Sequence, residues 1–371
     1  MNGKHLHIIS FNVPYPADYG GVIDVYYRLK ALKKEGVRIH LHCFEYGRES
    51  AKILDEICES VNYYKRSMSF LNHFSKLPFI VKSRSDNSLL ADLLKDDYPV
   101  LFEGLHSCYF LNNPKLKDRL KIVRCHNIEH HYYNSLAKNT AFGTLRLYFN
   151  IESYKLKKFE KILSNADYLT AISKADEEYF STHYGKTFLS TPCHQSGEVS
   201  ILEGGGKYIL YHGNLSVQEN EEAARFIVEK IAPRVNFHFL IAGKNPTTTL
   251  QKTVYGAENV QLVSNPDESQ LKELINEAHI NLLPTFQATG FKLKLLNALF
   301  NGRFCIGTPQ LVEGTGLKEL CIIAEGEDNI ISEINNLLDV KFTQEMIDKR
   351  KEVLDNVYSN KASVRKIIEL I

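Results

Sequence analysis

The chain has 371 residues, of which 44% are hydrophobic, and its formal net charge is +1. This length allows two domains with separate cores, and the near-neutral charge argues against a protein that binds nucleic acid through a basic surface. The seven cysteines are scattered and include no Cys-x-x-Cys pair. They indicate neither a disulfide framework nor a metal site, and no apolar run approaches the roughly 18 residues that span a bilayer. We therefore expect a cytoplasmic protein that is soluble or at most peripheral on a membrane.

Short runs of β-branched and aromatic residues alternate with longer helical patterns along the whole chain. They predict strands at 5–12, 37–46, 99–104, 121–127, 168–173, 207–213, 236–243, 260–265, 280–285, 304–309 and 321–326. Helices are expected between them, for example at 219–231, 267–277 and 290–301. This alternation is typical of βαβ units in parallel sheets. The predicted fold class is α/β, with two doubly wound Rossmann-like domains that face each other across a ligand-binding cleft.

A segment rich in Ser and Gly, ending in three consecutive glycines, interrupts this alternation before residue 207. We place the N-terminal domain at 1–190, a linker at 191–206 and the C-terminal domain at 207–342. Two further helices are expected at 343–371, and the last of them is expected to pack back on the N-terminal domain.

The first candidate ligand loop follows the first predicted strand. Gly20 and Gly21 precede a helix, where bare backbone amides can approach an anion. A tight turn that needs glycine explains the pair equally well. No Gly-x-Gly-x-x-Gly follows a strand, so the sequence lacks the usual dinucleotide fingerprint.

Two further strand ends carry titratable side chains. Glu103 and His106 follow one strand, and His126, Asn127 and Glu129 follow the next. Histidine is suited to moving protons near neutral pH, and a nearby carboxylate can orient it. Most of the 14 histidines are expected to be structural. His106 and His126 differ because strand ends form the expected rim of the cleft.

The segment after residue 289 has an unusual charge. Gly290, Phe291, Lys292 and Lys294 begin an otherwise apolar predicted helix, where acidic residues are the usual choice. Backbone amides, the helix dipole and two ammonium groups could together bind a diphosphate, whereas solvated surface lysines are the simpler alternative. The apolar setting favours the anion site.

Taken in order, these stretches resemble the retaining, nucleotide-sugar-dependent glycosyltransferases of the GT-B fold that build bacterial surface polysaccharides. The resemblance covers nearly the whole chain, from the Gly20-Gly21 loop through "RCHNIE" and "YHGNLSVQENEEAARF" to "LLPTFQATGFKLKLLNALFNGR". It implies a nucleotide diphosphate sugar as the donor substrate in the second domain. It also implies a glycan or lipid-linked acceptor in the first domain, no metal and no further cofactor.

Carried over by position, the resemblance assigns roles to individual residues. The acceptor side would comprise Glu103, His126, Asn127 and Glu129, with His106 near the reacting sugar. The donor side would comprise Gly20, Gly21, Gly213, Asn214, Lys244, Thr289, Gly290, Phe291 and Asn297, with Lys292 and Lys294 stabilising the leaving diphosphate.

The sequence departs from the family at four positions. Thr289 and Asn297 stand where many members carry glutamates, Asn214 stands where many carry Arg, and Glu219-Asn220 stands where many carry a Lys five or six residues later. Lys292 and Lys294 would restore the lost positive charge, whereas Asn297 would weaken ribose binding by about 1–2 kcal/mol.

We expect a retaining hexosyltransferase, and two alternatives remain open. The first is a catalytically silent GT-B module that binds a glycan or a partner, and the second is a UDP-sugar 2-epimerase, whose constellation is not evident. The basic amphipathic segment 154–163 could lie on the anionic inner face of the cytoplasmic membrane, or it could pack on its own domain.

Overall fold

A computed structural model describes residues 3–286 and 290–371. The chain forms two compact units. The first comprises the residues up to Cys193 together with Asn360–Ile371, and the second comprises His194–Ser359. No helix among the described residues combines the length and apolar character needed to cross a membrane.

The first unit contains a seven-stranded parallel sheet with strand order β3-β2-β1-β4-β5-β6-β7. Its strands are β1 (His5–Ser10), β2 (Arg38–Glu45), β3 (Ser60–Lys65), β4 (Val100–Glu103), β5 (Lys121–Cys125), β6 (Tyr168–Ala171) and β7 (Thr187–Leu189). Its helices within the N-terminal part of the chain are α1 (Gly20–Lys34), α2 (Phe79–Lys82), α3 (Asn87–Leu93), α4 (Glu129–Asn139), α5 (Thr144–Phe159) and α6 (Lys174–Tyr184).

The second unit contains a six-stranded parallel sheet with strand order β10-β9-β8-β11-β12-β13. Its strands are β8 (Ile209–Asn214), β9 (Phe239–Lys244), β10 (Val260–Ser264), β11 (Ile280–Leu283), β12 (Phe304–Gly307) and β13 (Ile322–Ile323). Its helices are α7 (Gln218–Phe226), α8 (Thr248–Tyr255), α9 (Glu268–Glu277), α10 (Leu293–Asn301), α11 (Pro309–Val312), α12 (Glu327–Leu337) and α13 (Gln344–Val353). The final helix of the chain, α14 (Asn360–Leu370), belongs to the first unit.

Apolar side chains cover both faces of the central strands. In β1, Ile8 packs in a core cluster with Leu29 of α1, whereas the next residue, Ile9, packs in a second cluster with Phe102. Successive strand residues point to opposite faces, so a strand that is apolar at consecutive positions is buried on both sides. This pattern made the parallel sheets predictable, and the α/β fold class is confirmed.

Both sheets reverse their strand order at one place. In the first unit the reversal lies between β1 and β4, and in the second between β8 and β11. The loops that leave the carboxyl ends of two such strands run in opposite directions and open a crevice, where open α/β sheets bind ligands. The fold therefore provides one candidate crevice in each unit.

The chain passes from one unit to the other between Cys193 and His194. Before this point, Ser190 donates a hydrogen bond to the carbonyl of Ser363 in α14 (2.7 Å). After it, His194 contacts the carbonyl of Tyr358 (3.0 Å). Residues 194–206 therefore pack with the second unit instead of forming a separate linker, and α13 belongs to the second unit as well.

Each predicted strand overlaps an observed one, but β3 and β7 were missed. The predicted helix at 290–301 was wrong at its start, because α10 begins at Leu293 and Lys292 is its N-cap residue. Gly290 has a φ of 70°, a left-handed conformation that favours glycine and lies outside the helix.

Candidate functional site

The crevice of the first unit begins with a sharp turn after β4. Glu103 ends the strand, and Gly104 follows with a φ of 76°. A Cβ at Gly104 would lie 3.1 Å from Nδ1 of His106, so glycine allows this histidine to fold back over the strand end. The turn thus places Glu103 and His106 at the same edge of the sheet.

A buried ionic network lies beside this turn. Asp24 of α1 accepts hydrogen bonds from Arg28 (3.0 Å) and from Arg124 of β5 (2.5 Å), and Glu103 lies 3.6 and 3.7 Å from the same two guanidinium groups. Burial alone would raise the pKa of Asp24, but Arg124 and Arg28 outweigh it and hold the pKa below its usual value. Two acids and two bases therefore neutralise each other within the core.

His126 connects this network to the crevice. Its Nε2 lies 2.7 Å from Glu103, and its Nδ1 lies 3.7 Å from Asp24. The side chain is 11% exposed, so two carboxylates fix the orientation of a ring whose edge reaches solvent. Glu103 and His126, both predicted for the acceptor side, are thus in direct contact.

His106 and Glu129 form a second pair, and it is not satisfied. Nδ1 of His106 and Oε1 of Glu129 lie 3.8 Å apart, and neither atom has a hydrogen-bond partner among the described residues. Burial raises the pKa of Glu129 to about 8, against the opposing effect of a hydrogen bond with Asn127. Burial and then Arg84 hold the pKa of His106 well below its usual value. Near neutral pH, burial therefore favours a protonated Glu129 and a neutral His106, a pair that can donate to and accept from a hydroxyl group.

In the second unit, the two lysines near the start of α10 have different partners. Lys292 makes an ion pair with Glu219, with Nζ–O distances of 3.0 and 3.1 Å. The positive charge predicted for this residue is therefore already neutralised. This contact could not be predicted from the sequence, because the two residues are 73 positions apart.

Lys294 has only uncharged partners among the described residues. Its Nζ lies 3.1 Å from Oδ1 of Asn220 and 3.4 Å from the hydroxyl of Tyr211, and it sits 5.2 Å above the Tyr211 ring. Burial lowers the pKa of Lys294 to about 8, while Glu219 opposes this shift. At neutral pH the ammonium group is still mostly charged and lies in the first turn of a helix.

The end of β8 carries two of the predicted donor-side residues, Gly213 and Asn214. A Cβ at Gly213 would lie 3.3 Å from the side chain of Asn220, so glycine here lets Asn220 approach the strand end. Asn220 also donates to the carbonyl of Asn214 (3.0 Å). Gly213, Asn214 and Lys294 are thus linked through Asn220, a residue that the sequence analysis noted only as a departure from the family.

The remaining predicted site residues lie at several separate positions. Gly20 and Gly21 form the first turn of α1, and a Cβ at Gly21 would lie 2.9 Å from Phe11, so close packing explains this glycine. Lys244 ends β9 and is exposed, whereas Asn297 accepts a weak hydrogen bond from Ser196 (3.4 Å). Phe291 is half-buried, and Thr289 lies outside the described residues.

The segment 154–163 is not an open amphipathic helix. Leu156 and Leu163 are buried in the core of the first unit, and Phe159 and Ile162 pack against the same cluster. Its apolar face therefore packs on its own domain, which was the second of the two interpretations.

Several charged residues of the first unit were not predicted from the sequence. The pair Asp24 and Arg28 has the i, i+4 spacing that joins side chains on one helix face, and this signal could have revealed it. Arg66 and Arg84 gave no such signal, and the structure places both near His106.

Comparisons with known proteins agree with this architecture. Residues 206–349, all within the second unit, match the family model described as glycosyl transferases group 1. An uncharacterized 44.6 kDa protein in the cps region of Klebsiella pneumoniae is 28% identical, over 93% of this chain and 96% of the relative.

Solved structures of GT-B proteins share the fold over almost the full chain. Sucrose-phosphate synthase from Thermosynechococcus elongatus superposes with a TM-score of 0.68 at 15% identity, covering 99% of this chain and 98% of the other. A trehalose-6-phosphate protein from E. coli, bound with UDP-2-fluoro glucose, gives a TM-score of 0.60 at 12% identity, with coverage of 99% and 98%. The fold is therefore GT-B, and together with the matched domain it supports a glycosyltransferase of the GT-B type.

Proposed function

We propose that the protein transfers a hexose from a nucleotide diphosphate sugar to a glycan or lipid-linked acceptor, with retention of configuration, in surface polysaccharide synthesis. The observation that carries this proposal is the Lys294 ammonium group. It is held at the start of α10 by an amide oxygen and a hydroxyl, and no carboxylate contacts it among the described residues. A desolvated cation of this kind gains most from an anionic ligand.

The donor diphosphate would supply that anion. The N-terminal end of a helix carries free N–H groups and the positive end of the dipole, and both favour phosphate. Gly213 lies at the carboxyl end of β8, and Gly290 lies between β11 and α10, where backbone can approach a ligand closely. These features together form the donor site that we propose for the second unit, and the positive charge of Lys294 serves there without a metal ion.

In the reaction, the bond between the sugar C1 and the diphosphate oxygen breaks, and a bond from C1 to the acceptor oxygen forms. The acceptor hydroxyl proton leaves with the diphosphate. Lys294 and the α10 amides stabilise the charge that develops on the leaving group, and such preorganised electrostatics are usually the largest catalytic contribution. His106 and Glu129 would hold a sugar hydroxyl in the first unit, since their facing atoms have no other partner among the described residues.

The acceptor proposal has two supports. The relative from the cps region of Klebsiella pneumoniae supports a role in surface polysaccharide synthesis. The first unit also exposes large apolar side chains on a short helix at Phe70–Phe74 and around the start of α5, including Phe70 (72% exposed) and Phe142 (96%). The short helix packs along α5, because the His73 ring lies 5.6 Å from the Tyr148 ring and Lys155 donates to the carbonyl of His73 (2.8 Å).

We propose that this apolar surface, flanked by the exposed Lys157 and Lys158, touches the inner face of the cytoplasmic membrane. Sedimentation with phosphatidylcholine vesicles, with and without phosphatidylglycerol, tests this contact. Binding should require the anionic lipid and should fall in a Phe70→Ser, Phe142→Ser variant. Equal sedimentation of both proteins would contradict the proposed surface.

Calorimetric titration with a panel of UDP-, GDP- and ADP-sugars tests the enzyme proposal. We expect one donor class to bind, and Lys294→Gln should weaken it about 10- to 100-fold, as the loss of a charge-assisted hydrogen bond predicts. Lys272→Gln, at an exposed position of α9 in the same unit, is the matched control and should bind like the wild type. Failure of every nucleotide sugar to bind would overturn the proposal and favour a silent glycan-binding module.

A further inference from the structure

Arg84 is a buried arginine without an acidic partner. Its side chain is held by the carbonyls of Phe11 (Nε–O, 2.9 Å) and Ile80 (Nη1–O, 2.5 Å), and the residue is only 4% exposed. No carboxylate lies within 4 Å of its guanidinium group among the residues that the structure describes. Carbonyl dipoles fix the orientation of the group but do not neutralise its charge.

Arg66 interacts electrostatically with Arg84 and, like it, has no acidic partner among the described residues. Its Nε donates to Ser83 Oγ (2.9 Å), and its guanidinium group stacks over Tyr46 at 4.3 Å and near Phe79 at 5.4 Å. No ion pair involves Arg66 within the described part of the chain. Ser83 directly precedes Arg84 in sequence, so the hydroxyl that holds the Arg66 guanidinium group lies on the residue next to Arg84.

The first unit neutralises its other buried arginines differently. Arg28 and Arg124 share Asp24 and Glu103, so their charges are paired inside the protein. The carboxyl group that interacts with Arg84 is that of Glu129. Burial raises the pKa of Glu129 to about 8, so at neutral pH this group is mostly uncharged and does not neutralise Arg84. Burial, and then Arg66, lower the pKa of Arg84 to about 9. An external anion would relieve this repulsion.

Phe11 connects the arginine pair to His106, which forms with Glu129 the pair whose facing atoms have no partner among the described residues. The Phe11 ring lies 5.6 Å from the His106 ring, and the Phe11 carbonyl accepts from Arg84. On the other side, the Phe79 ring below Arg66 stacks on His73 (4.1 Å), within the short helix that exposes Phe70, Leu71 and Phe74. In space, the apolar surface is therefore followed by the two guanidinium groups and then by the pair His106 and Glu129.

From this order we infer that Arg66 and Arg84 bind the phosphate or diphosphate group of the acceptor. The planar guanidinium fork matches phosphate oxygens in pairs, which suits arginine better than lysine for this ligand. An acceptor sugar attached to that phosphate would extend toward His106 and Glu129, and a lipid chain would extend toward Phe70 and Leu71. Only the assignment of the anion to the acceptor rests on the proposed function.

Calorimetry with farnesyl diphosphate, inorganic pyrophosphate and farnesol tests this site. The titrations use the Lys294→Gln protein, so that the donor site of the second unit contributes little. Adding Arg66→Gln should weaken the binding of farnesyl diphosphate at least about tenfold. Adding Arg365→Gln, at an exposed arginine of α14 in the same unit, should leave this affinity unchanged. Arg84→Gln should give a similar loss, and thermal melting checks that both variants stay folded.

The outcomes separate the sources of the anion. Tighter binding of farnesyl diphosphate than of pyrophosphate, with both sensitive to Arg66→Gln, supports a lipid-linked acceptor, whereas equal binding supports a soluble phosphorylated one. Equal affinities in the Arg66→Gln and Arg365→Gln proteins would overturn the site. If Arg66→Gln, made in the wild-type protein, lowers nucleotide-sugar affinity as strongly, the assignment to the acceptor is overturned. A wild-type protein that binds no nucleotide sugar refutes only the proposed enzyme, since the anion titrations need no donor.

Discussion

The crevices of the two units share one topology but differ in chemistry. Each lies where the strand order reverses, between β1 and β4 or between β8 and β11. The first is lined by buried carboxylates and arginines that pair with each other, whereas the second holds a lysine pair and uncharged oxygens around Asn220. Strand order thus fixes where a ligand can bind, and the balance of paired and unpaired charge decides which ligand binds there.

The largest effect is expected where the pairing is complete. Asp24→Asn removes the carboxylate charge shared by Arg28 and Arg124, so two buried guanidinium groups lose their main partner. We expect the free energy of unfolding to fall by about 3–5 kcal/mol. Urea denaturation followed by circular dichroism measures this loss. Asp118→Asn, at an 88% exposed side chain, is the control, and a loss as small as the control's would contradict a structural role for the network.

A second contrast separates the two lysines of the second unit. Lys294→Gln should weaken donor binding about 10- to 100-fold, whereas Lys292→Gln should cost less than about fivefold, because Glu219 already neutralises Lys292. Calorimetric titration of the donor into both variants measures the difference. Equal losses would show that both ammonium groups reach the ligand.

The pH dependence of donor binding sharpens the assignment to Lys294. The pKa of this lysine is lowered to about 8, so the free protein loses the ammonium charge as pH rises through that value. Donor affinity should then fall by up to about tenfold per pH unit above 8. Lys294→Arg keeps its charge throughout, so its affinity should stay flat between about pH 7 and 9. A wild-type profile parallel to that of the arginine variant would assign the dependence to another group.

The smallest effect concerns the ion pair between Lys292 and Glu219. Glu219→Gln frees the ammonium group, so donor affinity should rise by up to about fivefold, in line with the modest free energy of an ion pair whose side chains are still 14% and 15% exposed. The gain should shrink at high salt, where surface charges are screened. Weaker binding in this variant would mean that Glu219 itself contacts the donor.

Much of the fold could be predicted because parallel sheets leave a simple pattern. Strands such as β11, buried at every position, read as apolar runs between helical stretches. The edge strand β3 escaped detection because its residues Ser60–Lys65 are mostly half-buried and of mixed polarity, and β7 has only three residues. The start of α10 was misplaced because Gly290 adopts a left-handed conformation and Lys292 an extended one, so the helix begins only at Leu293.

The site was less accessible to sequence reasoning than the fold. Positions at strand ends identified Glu103, His106, His126 and Glu129, since topology brings such ends to one edge. The sequence does not show that Lys292 meets Glu219, or that Arg66 contacts Ser83 beside Arg84, because these contacts depend on tertiary packing. The sequence assigned the compensating charge to both Lys292 and Lys294, whereas the structure pairs Lys292 with Glu219.

The position of α14 gives the protein a particular order of assembly. Val364 and Ile367 of this helix complete the same apolar cluster as Leu29 and Leu32 of α1, although the entire second unit lies between them in the chain. During translation, the apolar surface of α1 stays uncovered until α14 is made, which happens only after the 166 residues of His194–Ser359 have been synthesised. A nascent chain must therefore keep this apolar patch from aggregating until synthesis is nearly finished, and a stop codon before Asn360 would damage the unit that was made first.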